Sequence, residues 1–331
     1  MHKNVHFSPL LLNVAGVEGF EPPNAWTKTM CLTTWRHPSK LVKYLVKSYY
    51  SIFIVDNLCN NGAMSIADTL LHKWLRIPYK LHVHKKKVRK GVKVTYIFIH
   101  GLGDTAALWE PVIEGLNDSV NYVSVDLLGF GSSKKPAWAR YNATMQARSL
   151  LMTYMSLGIR GDVVVVGHSL GSLVAVEFAK RYPLQVKKLV LCSPPIYDTE
   201  FSSSTKQLQQ NVLNHLYKDV SKNPKLIMNT YALGKKLHII NQSLQVTTDT
   251  LPAFIASLQT SIMNQNTLKL LGKLKLPIVI IDGLFDVLTV NKTLKQVASS
   301  HQNINLVTIK AAHMINKTYT AKILDVLKNG K

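Results

Sequence analysis

Short runs of β-branched and other apolar residues alternate along this chain with longer stretches in which apolar residues recur at helical spacing. Residues 79–84, 94–100, 122–126, 163–168, 188–192, 276–281 and 305–309 read as strands. Residues 108–116, 143–157 and 170–181 read as helices. The run Val163-Val164-Val165-Val166 has no polar alternation, as expected of a strand buried on both faces. Strands that alternate with helices predict an α/β fold, with a mostly parallel sheet covered by helices on both sides.

The alternation stops between residues 194 and 271. There, residues 207–216, 225–233 and 253–263 read as amphipathic helices, with polar breaks at 221–224 and 247–250. The insertion follows a strand on the edge where open α/β sheets bind ligands, so it is expected to form a helical cap. Its apolar positions, among them Leu213, Leu216, Ile227, Met228, Phe254 and Ile262, would line a pocket or the seam between cap and core. The expected organisation is an N-terminal segment 1–63, a first core part 64–197, a cap 198–272 and a second core part 273–331.

The first sixty or so residues show no sustained periodicity. The stretch Gly19-Phe20-Glu21-Pro22-Pro23 can be encoded by the GGTTCGAACC of a tRNA T arm, and residues 17–38 are similar to a tRNA gene read as protein. Translation is therefore expected to start at Met64, the competing reading being a disordered or accessory extension. Residues 10–17 are too short for a spanning helix.

The densest chemistry lies at Gly167-His168-Ser169-Leu170-Gly171. A strand, a Ser between small residues and a helix describe a nucleophile elbow, whose glycines are needed because the turn leaves no room for side chains. A Ser hydroxyl is a poor nucleophile at neutral pH and needs a His base and an acid to orient it. The order this elbow demands is Ser, then acid, then His. Asp286 follows the strand at 276–281 through Asp282-Gly283-Leu284-Phe285, and His313 follows the strand at 305–309 through Lys310-Ala311-Ala312. Asp198, just past the preceding strand, is a rival for the acid. Gly101 and Gly103 free the loop after the strand at 94–99, so that the Leu102 N–H can pair with the N–H of Leu170 as an oxyanion hole. Gly101, His168 and Trp109 are expected to border the substrate. His100 reads as a residue pinning the loop, and His168 has the same structural alternative.

These motifs resemble the α/β-hydrolase fold superfamily, in particular its serine carboxylesterase and lipase-like members with a helical cap. The resemblance runs from about Tyr79 to Leu327. It rests on His100-Gly101-Leu102-Gly103 with Trp109 downstream, on Asp126-Leu127-Leu128-Gly129-Phe130-Gly131-Ser132-Ser133, on the elbow, and on Asp286 with His313. It implies Ser169 as nucleophile, His313 as general acid–base, Asp286 as its orienter, and an ester as the small-molecule substrate. Ala312 stands where the family often has Gly. Asp126 is expected to hold its loop by hydrogen bonds. Haloalkane dehalogenases and epoxide hydrolases are similar but carry Asp at the elbow. Thioesterases, lysophospholipases and carbon–carbon bond hydrolases share the triad and remain alternatives, as does a non-catalytic binding protein on the same fold.

Composition narrows this further. With 331 residues and 47% apolar content the chain can bury a large core. Three cysteines argue against a disulfide framework, and Cys192 reads as a small buried hydrophobe. No spaced metal-ligand cluster and no dinucleotide-binding glycine motif is present, so no cofactor and no metal are expected. A cytoplasmic location is expected. The formal charge is +22, from 40 basic and 18 acidic residues. It suits a weak contact with an anionic membrane surface or an acidic carrier protein, against the plainer reading of solvated lysines. The cluster His84-Lys85-Lys86-Lys87-Val88-Arg89-Lys90 reads as a hairpin turn and lacks the interleaved aromatics of a nucleic-acid platform.

Overall fold

The computed structural model describes residues 68–197, 218, 222–236 and 241–329. Two compact units are distinguished, Met1–Trp74 and Leu75–Lys331. In the first, the described residues carry a single π-helical stretch, Thr69–Trp74. The expectation for residues 1–63, the cap helix at 207–216 and the rival acid Asp198 all lie outside the described residues. The fold that follows is that of the second unit.

Seven strands form one sheet: β1 (His82–Lys87), β2 (Val94–Ile99), β3 (Asn121–Asp126), β4 (Asp162–His168), β5 (Lys188–Cys192), β6 (Ile278–Gly283) and β7 (Ile304–Ile309). Their order is β1-β3-β2-β4-β5-β6-β7. Only the β1–β3 pair is antiparallel. Helices α1 (Glu110–Glu114), α2 (Ala143–Ser156), α3 (Leu170–Arg181), α4 (Pro224–Lys236), α5 (Leu251–Ser257), α6 (Thr267–Leu271), α7 (Asn291–Ser300) and α8 (Lys317–Asn329) complete the described fold.

Alternate strand positions feed two cores. Ile97, Ile99, Val163, Val165, Leu189, Leu191 and Ile280 point to one face, where α3 and α7 pack. Phe98, Val164, Val166, Val190, Val279 and Ile281 point to the other, where Tyr319, Ile323 and Val326 of α8 cover them. With both faces covered, the central strands gain nothing from polar alternation, and their sequences read as continuous apolar runs. Helix α3 is buried at every position from Leu170 to Ala179, so it is fixed from all sides.

The first strand differs from expectation. It runs from His82 to Lys87 rather than over 79–84, and its partner is β3, which lies between β1 and β2 in the sheet. The lysine cluster is therefore half strand and half turn, and not the tip of a hairpin. The physical reason is that β1 is an edge strand. Its polar positions meet solvent and acids instead of a core, as where His84 and Lys85 reach Glu110.

The described part of the insertion packs on loops at the C-terminal edge of the sheet. The Gln245 N–H donates to the Gly103 carbonyl at 2.6 Å, Thr105 Oγ1 to the Ser243 carbonyl at 3.2 Å, and Ser257 Oγ to the Tyr141 carbonyl at 3.2 Å. Phe254, Leu258 and Ile262 are buried in the first core.

Asp126, at the end of β3, ties this edge together. Its carboxylate accepts from the Ala106 N–H at 2.8 Å, the Ser132 N–H at 2.9 Å and His82 Nδ1 at 2.9 Å. Burial opposes its charge, but the two N–H donors, His100 and His82 outweigh that and hold its carboxyl below the usual carboxylate range. A depressed carboxyl stabilises the fold above the ordinary Asp value of 3.8 and loses that contribution as pH falls through the folded value. Asp126→Asn is expected to cost about 2 kcal/mol near neutral pH. In urea titrations the gap between parent and variant should shrink as pH drops below that ordinary value.

Candidate active site

The chain turns from β4 into α3 at Ser169, whose φ of 51° and ψ of −119° put a non-glycine residue in a conformation that L side chains rarely adopt. The reason lies in its flanking glycines. A Cβ on Gly167 would stand 2.5 Å from the Gly171 carbonyl oxygen, and one on Gly171 would stand 2.3 Å from the Ile99 carbonyl oxygen. Both neighbours are backbone atoms inside packed elements, so neither can retreat. The turn is fastened by the Ser169 N–H to the Cys192 carbonyl at 2.9 Å and by Ser172 Oγ to the Gly167 carbonyl at 2.8 Å.

Two strand-end loops bring the partners. Ser169 Oγ donates to His313 Nε2 at 3.0 Å, and His313 Nδ1 donates to Asp286 Oδ2 at 2.8 Å. Ser169, His313 and Asp286 lie 27 to 144 residues apart in sequence, yet they form one hydrogen-bonded line. The His313 side chain is 15% exposed, and that of Asp286 is fully buried. Burial opposes the Asp286 charge, but His313, the Ser193 hydroxyl and the Leu288 N–H outweigh it and hold the carboxyl below its usual range. The group therefore stays ionised beside the imidazole.

Ser193 was not singled out from the sequence. Its hydroxyl helps hold the Asp286 carboxyl down and meets the Tyr319 hydroxyl at 2.6 Å. Tyr319 is fully buried in the second core. The signal that existed was the place of Ser193, one residue past β5 on the same sheet edge.

The histidines beside Ser169 serve the framework. His100 Nδ1 donates to the Gly101 carbonyl at 2.7 Å, and its Nε2 accepts from the Leu127 N–H at 2.8 Å. His168 Nε2 donates to the His313 carbonyl at 2.9 Å and so holds the loop that presents the other imidazole. Burial, then the neighbouring His313, pushes His168 down to about 3, so it stays neutral across the physiological range. Its Nδ1 is buried without a hydrogen-bond partner and faces Gly101, where a Cβ would come within 2.9 Å.

Gly101 lies against Ser169, with only 3.2 Å between a Cβ placed on it and the Ser169 Cβ. Leu102 follows in the same loop. Leu170 opens α3, so its N–H is one of the first-turn donors an α-helix leaves unpaired. Trp109 is a correction. Its indole is fully buried in the second core, with its ring 5.3 Å from that of Phe98, so it packs the core and does not border a substrate. Among the described residues no group of three or more His, Cys, Asp or Glu side chains could hold a metal ion.

A seven-stranded, mostly parallel sheet with Ser169 at a strand–helix elbow and His313 and Asp286 on later strand ends is the architecture of the α/β-hydrolases. The family model of the alpha/beta hydrolase fold matches residues 96–236, and the fold of the described chain is that of the α/β-hydrolases. Among curated proteins it is 31% identical over 120 residues to a probable lysophospholipase, BODYGUARD 2, of Arabidopsis thaliana, covering 35% of this chain and 26% of that protein. It is 31% identical over 132 residues to the 2-(acetamidomethylene)succinate hydrolase of Mesorhizobium japonicum, covering 40% and 46%. The match thus spans less than half of either relative. A thermophilic esterase from Thermogutta terrifontis superposes with a TM-score of 0.58 at 20% identity, covering 76% of this chain and 92% of that one.

The elbow makes a sharp prediction. Gly171→Ala must push the Ile99 backbone or α3 aside, at an expected cost of about 3 kcal/mol or more, read as a lowered urea midpoint.

Proposed function

We propose that this protein is a serine hydrolase that cleaves carboxylic esters through an acyl-enzyme. The observation carrying the reading is the hydrogen-bonded line from Ser169 Oγ through His313 to Asp286 at an elbow where Ser169 is held in a strained conformation. A hydroxyl bonded to a neutral imidazole nitrogen has its base already in place, and the buried carboxylate favours the imidazolium that forms. The esterase and lysophospholipase relatives support the same chemistry.

In the first half-reaction Ser169 Oγ bonds to the ester carbonyl carbon as its proton passes to His313 Nε2. The carbonyl oxygen, now an anion, is met by the N–H groups of Leu102 and Leu170, the latter at the positive end of α3. The tetrahedral species collapses, His313 returns the proton to the leaving oxygen, and the alcohol departs. Water then repeats the sequence on the acyl-enzyme and frees the acid and Ser169. Gly101, against Ser169, leaves room for the carbonyl. The insertion between β5 and β6 acts as a helical cap, and its hydrogen bonds to Gly103 and Thr105 steady the loop that holds Leu102.

Ser169→Ala is expected to abolish cleavage of short p-nitrophenyl esters and labelling by a fluorophosphonate probe while leaving the unfolding temperature unchanged. Retained turnover would require another nucleophile. Asp286→Asn, which offers His313 Nδ1 a partner of the wrong polarity, should lower kcat by roughly ten-thousand-fold. An acyl-length series of esters, thioesters and lysophospholipids identifies the leaving group and chain length.

A further inference from the structure

The sheet edge that carries Ser169, Asp286 and His313 also turns large apolar side chains to solvent. After β6 the chain runs Leu284-Phe285-Asp286-Val287, and Leu284 is 55%, Phe285 62% and Val287 79% exposed. Single exposed apolar residues are ordinary, whereas three within four positions form a patch. The loop beneath them is fastened. The Leu284 N–H donates to the Ile309 carbonyl at 2.8 Å, the Phe285 N–H to the Ala311 carbonyl at 3.0 Å, and the Leu288 N–H to Asp286 Oδ1 at 2.8 Å. The side chains are thus held outward by fixed backbone.

The chain on either side of this tip in sequence is rich in lysine. Between residues 250 and 324 the chain has eight lysines and two acids, Asp282 and Asp286. Both acids point inward, Asp282 with 0% exposure and Asp286 with a fully buried side chain. Lys310 is exposed between the two carbonyls that receive the Leu284 and Phe285 N–H groups. Lys292 is exposed next to Asn291, whose amide bonds Asp282 at the end of β6. Lys317 is exposed at the start of α8, four residues past His313.

We propose that the Leu284–Val287 tip with Lys292, Lys310 and Lys317 is a docking surface for an anionic phospholipid bilayer. Apolar side chains enter the boundary of the acyl region while the lysines meet headgroup phosphates and carboxylates. An acidic protein would answer the lysines alone and leave Phe285 and Val287 without a role. Attachment is peripheral in this scheme, and among the described residues no helix is long and apolar enough to cross a membrane. The surface goes beyond the hydrolase reading and does not require it.

The test is co-sedimentation of the full chain carrying Ser169→Ala, so that no lipid is consumed, with vesicles of phosphatidylcholine alone or mixed with phosphatidylserine. Binding is expected to the mixed vesicles and to weaken with added salt. Phe285→Ser with Val287→Ser should weaken it about tenfold or more. Exchanging Lys292, Lys310 and Lys317 for Gln should weaken it about five-fold per lysine. Unfolding temperatures should match the parent. The proposal fails if both vesicle types bind equally or neither binds, or if the substitutions leave binding unchanged. It also fails if the Phe285/Val287 variant unfolds at lower temperature, since those side chains would then pack against the chain itself. Retention on polyglutamate without vesicle binding would assign the lysines to an acidic protein instead. None of these readouts uses turnover, so the outcome is independent of whether esters are cleaved.

Discussion

The close approach of helix α3 to strand β2 is the constraint on which the rest of this molecule depends. At Gly171 the two backbones leave no space for a methyl group, and at Gly167 the turn folds back on its own next carbonyl. Between them Ser169 is held at positive φ. Such strain costs roughly 1–3 kcal/mol and survives only where the surroundings over-determine it. Here they do, because α3 buries ten successive residues, and each Leu, Val or Phe among them contributes about 1.5–3 kcal/mol by leaving water. The helix cannot slide to relax the turn without exposing that surface. Strain at one residue is therefore sustained by packing along the whole helix.

A hydroxyl fixed this firmly makes the placement of its partners a matter of loop geometry, and each loop is tied from more than one side. His168 holds the backbone of His313, while Ser193, whose hydroxyl helps hold the Asp286 carboxyl down, is bonded to Tyr319 deep in the other core. The line of polar contacts thus passes from the Ser169 side of the sheet into the α8 side. His100 and Asp126 do the same for the glycine loop, through Leu127 and Ala106. His100 and Asp126 show one reason polar side chains are buried here: they bond backbone N–H groups at loop ends that the sheet itself leaves unpaired.

What could be read from the sequence follows from which forces are local. Strands β2, β4, β5 and β6 were legible because burial on both faces writes itself as a mostly apolar run, and α3 was legible to the residue because its cap is the elbow. The line of Ser169, Asp286 and His313 was legible because strand ends in an open parallel sheet gather on one edge. The start of β1 was not, since an edge strand owes its bounds to one neighbour, β3, rather than to its own composition. Trp109 was misread for a related reason. Its distance from the glycine loop in sequence says nothing about which face of the sheet it enters, and a short 3-10 turn, Ala106–Trp109, carries it to the far core. Helices α7 and α8 are amphipathic stretches that sequence reading left without an element. Ser193 and Tyr319 meet across 126 residues, a tertiary fact with no local trace.

Two carboxylates at the end of β6 show how position decides role. Asp282 and Asp286 are four residues apart, both buried, and both hydrogen-bonded. Asp282 accepts from Thr289 and Asn291, which are neutral, and burial wins, raising its carboxyl above the usual range. Asp286 accepts from His313 and from the Leu288 N–H, the Ser193 hydroxyl adds to them, and its carboxyl is driven the other way. Two like charges this close would each raise the other, so pushing the pair apart removes a repulsion that would otherwise fall on the loop between them. Asp282 closes that loop through Thr289 and Asn291, and Asp286 is left as the one carboxylate facing the imidazole. If both were equally ionised, the charge that steadies an imidazolium at His313 would be shared with a residue that does not touch it. The division of labour is thus written in the partners each oxygen finds, a neutral hydroxyl and amide for one, an imidazole for the other.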